Sequence, residues 1–113
     1  MNSLKRYLEV EYLAIDKISE IENAIEQKFA RLFNVCNCIL KCKVKVANIG
    51  IQKKTASKFS YMVSINITMP EGFDVYTLRF PQNEQNDTLE QAISDVFAMI
   101  YRKLIELKLE SQF

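Results

Sequence analysis

The sequence predicts an α+β fold, a two-layer sandwich in the order β-α-β-β-β-α. A four-stranded mixed sheet should be covered on one face by both helices. Three observations lead there. Two segments repeat apolar residues at steps of three and four, the stripe of an amphipathic helix. Four segments alternate apolar with polar or charged residues, the period of a strand with one buried face. Pro and Gly number two each and fall between these segments, as turn residues do. The 113 residues match one domain, spanning 1–113. At this length folding hides roughly two-thirds of the surface that the unfolded chain exposes.

The first strand is Leu8-Glu9-Val10-Glu11-Tyr12. Ile18, Ile21, Ile25, Phe29 and Leu32 then form one stripe and predict a helix over 17–34, with Ser19 or Asp16 as its N-cap. From residue 38 the period changes to two. Cys38, Leu40, Cys42, Val44 and Val46 share an apolar face, and Lys41, Lys43 and Lys45 share the opposite one. Residues 48–57 read as a loop or ragged hairpin end.

Phe59, Tyr61, Val63, Ile65, Ile67 and Met69 alternate with Ser60, Met62, Ser64, Asn66 and Thr68, the clearest strand in the chain. Pro70-Glu71-Gly72 supplies a turn. Phe73 to Phe80 is a fourth strand with weaker alternation, and 81–86 is a polar loop. Asp87-Thr88-Leu89-Glu90 has capping-box spacing and opens a helix over 88–110. Leu89, Ala92, Ile93, Val96, Phe97, Ile100, Leu104 and Leu107 form its broad apolar stripe. The first two strands, joined through a helix, should run parallel with a right-handed crossover. The last three should form an antiparallel meander.

Hydrophobic residues at 49% and charged residues at 26% describe a globular protein rather than a disordered one. No apolar run is long enough for a membrane span. The first residues lack the apolar core of a secretory signal, so the expected compartment is the cytoplasm. Histidine is absent, which removes the commonest general base and zinc ligand. There is no phosphate-cradling glycine loop and no nucleophile elbow. Glu22 and Glu26 lie one turn apart but have no convergent partner for acid–base chemistry. The expectation is no enzyme, no catalytic residue and no cofactor.

Cys36, Cys38 and Cys42 invite a zinc reading. Three sulfurs without His fall short of the usual four ligands. Their even numbering puts all three on the apolar strand face, so they are expected to be reduced, metal-free core residues.

Charge is distributed unevenly. Residues 41–58 hold Lys41, Lys43, Lys45, Lys53, Lys54 and Lys58 and none of the fourteen acids. Such a stretch can be a footprint for phosphate. The plainer explanation is a solvated strand face and a lysine-bearing loop, which also discourages edge pairing. The open face of the third strand shows Ser60, Ser64, Asn66 and Thr68 rather than aromatics, so base stacking on the sheet is not expected.

Several strings, in order, resemble the ribosome hibernation-promoting factor family, also called the ribosome-associated inhibitor, S30EA or sigma-54 modulation family, in its short form. The similarity covers about residues 8–109. Ile21-Glu22 through Lys28-Phe29-Ala30-Arg31-Leu32 resembles the family's first helix, and Cys42-Lys43-Val44 resembles a Cys-Arg-Val string in its second strand. Tyr61 to Gly72 resembles Tyr-x-Val-x-Ile-x-Leu-x-x-Pro-x-Gly. Thr88-Leu89, Ala92-Ile93, Phe97 and Arg102-Lys103-Leu104 resemble its closing helix.

The resemblance implies a non-catalytic protein that binds the small ribosomal subunit where messenger and transfer RNA would sit. It implies ribosome hibernation, a block on translation as part of a stress response. Basic side chains of both helices would meet 16S rRNA phosphates, with a salt-dependent affinity. Carried over by position, Lys28, Arg31, Arg102 and Lys103 are the rRNA-binding candidates. The six lysines of 41–58 are an additional basic patch. Other basic positions of the family fall here on Asn34, Met99 and Glu106. No DNA and no membrane is implied, and a homodimer is left open. The acidic last helix supports a rival reading, a protein-interaction or dimerisation module that has lost ribosome binding. A third is a binder of double-stranded RNA shape.

Overall fold

The computed structural model describes residues 3–49, 52–53, 56–57, 60–81 and 88–111. A short 3₁₀ segment, Ser3–Tyr7, leads into β1 (Leu8–Leu13), α1 (Ser19–Val35) and β2 (Lys41–Asn48). A small ribbon of β3 (Gln52–Lys53) and β4 (Ala56–Ser57) follows. Then come β5 (Tyr61–Thr68), a 3₁₀ turn over Pro70–Gly72, β6 (Asp74–Arg79) and α2 (Leu89–Ser111). The main sheet has the order β1-β2-β5-β6. β1 pairs β2 in parallel, and β2–β5 and β5–β6 are antiparallel. The predicted α+β sandwich is therefore the observed one.

One core joins the layers. Cys42, Val44 and Val46 of β2 and Val63, Ile65 and Ile67 of β5 are buried with Ile21, Ile25, Phe29 and Leu32 of α1. Leu89, Ala92, Ile93, Val96, Phe97, Ile100 and Leu104 of α2 complete it. Burying such side chains is the main stabilising term, ~1.5–3 kcal/mol each for the larger ones. The N-terminal turn adds Tyr7, whose ring lies 5.2 Å from that of Phe33.

Four local expectations are corrected. The α1 N-cap is Ile18, exposed and without a side-chain cap bond, so neither Ser19 nor Asp16 caps and Ile18 leaves the stripe. At α2 the cap is Thr88, whose Oγ1 accepts the Gln91 N–H at 3.2 Å; Asp87 lies outside the described residues. β2 starts at Lys41 rather than 38, because a turn at Asn37–Cys38 follows α1. The turn reverses the alternation there: Ile39 is 2% exposed and Leu40 56%. Leu40 and Cys38 are thus off the inward strand face. Finally, Ser64 is buried although it lies on the sheet's open side. Gly72 takes φ +82° in the turn before β6, a region glycine enters without steric cost.

β6 shows why its alternation was weak. Its inward positions are Val75, Thr77 and Arg79, while Tyr76 and Leu78 point outward. Arg79 is 5% exposed. Its Nε and one terminal nitrogen donate to Asp95 Oδ2 at 3.3 and 3.2 Å, and the other donates to the Tyr61 carbonyl at 2.9 Å. Gln91 Nε2 holds the second Asp95 oxygen at 2.8 Å. A buried guanidinium is tolerated because its donors are occupied.

Candidate nucleic-acid interface

The two helices lie side by side and leave a groove of about 490 Å³ between them. α1 contributes Lys28, Arg31 and Leu32. α2 contributes Ser94, Phe97, Ala98, Tyr101, Arg102 and Ile105. Steps of three and four on each helix aim these residues at the same cleft. The groove has cations from both walls, an apolar floor and no acid in its lining. Lys28 is half-buried; Arg31 and Arg102 are exposed. None of the three forms an ion pair among the described residues. Two acids of α1 do have partners from outside the helix: Glu22 is 3.3 Å from Lys17, and Glu26 is 3.6 Å from Lys5.

The structure thus brings together three of the four helix bases. Lys103 goes elsewhere: its Nζ donates to the Tyr76 carbonyl of β6 at 2.7 Å. Lys108 reaches from α2 to the Val35 carbonyl at the end of α1, 3.3 Å away. Asn34, Met99 and Glu106 do not line the groove.

The strand lysines sit on the sheet's open face opposite two acids of β1. Glu9 pairs in register with Lys43, and Glu11 with Lys45. Their oxygens lie 3.6 Å from Lys41, 3.7 and 3.0 Å from Lys43, and 3.9 Å from Lys45. Through its bond to Lys43, Glu11 is held below the usual carboxylate range, and Lys43 is raised in turn. The side chains of Lys53, Lys54 and Lys58 lie outside the described residues.

Sequence reasoning missed two features. Tyr101, 45% exposed, stands at the groove. Its signal was a second stripe on α2, Ser94-Ala98-Tyr101-Ile105, beside the core stripe. Tyr76, 50% exposed, lies on the open sheet face next to Lys43 and Asn66, a position hidden by the pattern of β6. No cluster of three or more metal-ligating side chains occurs among the described residues. No helix among them is long and apolar enough to cross a membrane.

Fold and groove define a β-α-β-β-β-α sandwich with unpaired cations gathered on its helical layer. The family model for Sigma 54 modulation protein / S30EA ribosomal protein matches residues 8–111, and the chain belongs to that family. Among solved structures, a ribosomal subunit interface protein from Coxiella burnetii superimposes with a TM-score of 0.68. It is 14% identical and covers 90% of this chain and 97% of its own; the likeness is one of fold. The Protein Y N-terminal domain from Thermus thermophilus gives a TM-score of 0.46 at 15% identity, over 83% of this chain and 97% of that one. No curated protein matches the sequence.

Proposed function

We propose that this protein is a non-catalytic, ribosome-associated factor of the cytoplasm that restrains translation by binding 16S rRNA of the small subunit. Family membership supports the association with ribosomes. The observation that carries the mode of binding is the convergence of Lys28, Arg31 and Arg102 on one acid-free groove. Cations not matched within the protein are available to replace the counterions of a phosphate backbone, and the released ions drive binding. Strand lysines already held by Glu9 and Glu11 lack that freedom. The Tyr101 ring and the apolar floor offer a surface on which an unpaired base can stack while the rim holds its phosphates.

The test is co-sedimentation with small ribosomal subunits through sucrose gradients at two salt concentrations. Binding at low salt that weakens at high salt is the expected result. If the protein stays at the top of the gradient even at low salt, the proposal fails and the interaction-module reading replaces it.

A further inference from the structure

The sequence places two cysteines one residue apart at the end of α1, and the fold turns them toward each other. Cys36 closes the helix, donating its N–H to the Leu32 carbonyl at 3.0 Å. The chain turns at Asn37–Cys38, and the two Sγ atoms lie 3.2 Å apart. Cys36 is buried and Cys38 half-exposed. Cys42 sits apart from this pair, fully buried in β2.

We propose that Cys36 and Cys38 form a modification site, a dithiol that low-molecular-weight disulfides such as oxidised glutathione convert to an intrachain disulfide. Cys38 is the accessible member and attacks first. Its thiolate bonds to one sulfur of oxidised glutathione and expels the other half as glutathione thiolate. Cys36 then loses its proton to solvent and attacks Cys38 Sγ, releasing the second glutathione. Two protein thiols are oxidised by two electrons and one glutathione disulfide is reduced to two thiols, so the exchange balances.

The division of labour follows from the surroundings. Burial and the neighbouring Cys38 thiol push Cys36 up to about 11, with the Lys108 ammonium pulling weakly the other way. A thiol so placed is slow toward reagents in solution. It serves well as the second attacker, because its target is already in contact. A bridge across a single intervening residue is tight, and thiols reverse it readily.

The experiment equilibrates reduced protein in glutathione buffers from fully reducing to fully oxidising. Samples are quenched, denatured, alkylated and digested with trypsin. The peptide Leu32–Lys41 contains both cysteines, and Cys42 falls in the next one. The expected result is that Leu32–Lys41 passes from doubly alkylated to unalkylated and lighter by two hydrogens, while Cys42 stays alkylatable. Excess reduced glutathione should restore the thiols. A peptide that remains doubly alkylated in the oxidising buffer, or one bridged to Cys42 or to a second chain, overturns the proposal. The roles are separated by Cys36→Ser, which should trap glutathione on Cys38, and Cys38→Ser, which should leave Cys36 almost unmodified over the same time. The reverse order refutes the assignment.

Discussion

Lys43 stands 3.0 Å from Glu11 and 3.7 Å from Glu9, so one strand lysine bridges both acids of β1. Lys41 and Lys45 flank it, each near one of the same carboxylates. Exposed pairs of this kind add little stability, about 0–1 kcal/mol each. Their effect is on which charges face outward. Replacing Lys41, Lys43 and Lys45 with Gln should leave the salt dependence of rRNA binding unchanged. Replacing Glu9 and Glu11 with Gln removes the two charges that offset these lysines and should steepen the log–log slope of nonspecific RNA binding by up to about two. Fluorescence anisotropy with a labelled rRNA fragment measures both, and a loss of binding in the lysine variant would show that the footprint lies on the sheet.

The groove makes the opposite prediction. Lys28, Arg31 and Arg102 replaced together by Gln should weaken small-subunit binding and flatten its salt slope by about three, near one per lost phosphate contact. Lys103→Gln should change the slope far less, since its ammonium is committed to the Tyr76 carbonyl. A triple variant that binds with the wild-type slope would remove the groove from the mechanism.

Stability should respond asymmetrically at the Arg79–Asp95 pair. Arg79 is buried, whereas the Asp95 side chain keeps 36% exposure. Asp95→Ala strands a guanidinium in the core and should cost about 3 kcal/mol. Arg79→Met removes the charge, fills much of the space and leaves Asp95 near water, so its cost should be nearer 1 kcal/mol. Urea denaturation of the two variants gives the comparison; equal losses would mean that the pair acts through packing alone.

The sheet–helix core is tested by Ile65→Ala and Phe97→Ala. Both side chains belong to the one buried cluster, and each truncation should cost roughly 2–5 kcal/mol. A denaturation midpoint that does not move would contradict the shared core.

An alkaline limb of instability is also expected. Burial pushes Cys42 up to about 12. Burial, with the Glu22 and Glu26 carboxylates nearby, takes Tyr12 to about 12. Raised values mean that the folded state holds these protons more tightly than the unfolded chain does. The stability is therefore fully present below the unfolded values and is lost as pH rises toward 12. Denaturation midpoints measured from pH 8 to 11 should fall, and Cys42→Val should make the fall shallower. An unchanged slope in that variant would count against Cys42 as a contributor.

The architecture was legible because each strand and helix carries its own period. Val44, Val63 and Ile65 on alternating positions, and Ile21, Ile25 and Phe29 on a helical stripe, needed no partner to announce their faces. Errors gathered where a neighbour decides. Leu40 and Cys38 continue a period of two in sequence, yet a turn after α1 separates them from β2. Arg79 looks like a surface residue until Asp95, sixteen positions later, comes to meet it across the layers. Of the candidate site, Lys28, Arg31 and Arg102 came from the resemblance to the family, position by position, and no pattern in the sequence alone singled them out; spacing added only that Lys28 and Arg31 stand three apart on one helix. The apolar floor with Tyr101 emerges only once α1 and α2 are side by side. The silencing of the strand lysines depends likewise on the register that sets Glu9 against Lys43 and Glu11 against Lys45.

The bond from Lys103 to the Tyr76 carbonyl has a consequence for self-association. β6 is the last strand of the sheet, and such a margin carries backbone acceptors that a strand of another molecule can engage. At Tyr76 that acceptor already holds an ammonium brought over from α2. An incoming strand would have to displace it and bring its own chain alongside a positive charge. Lys103 thereby occupies one backbone acceptor on this edge that strand-to-strand pairing would need, a consequence separate from any contact with RNA.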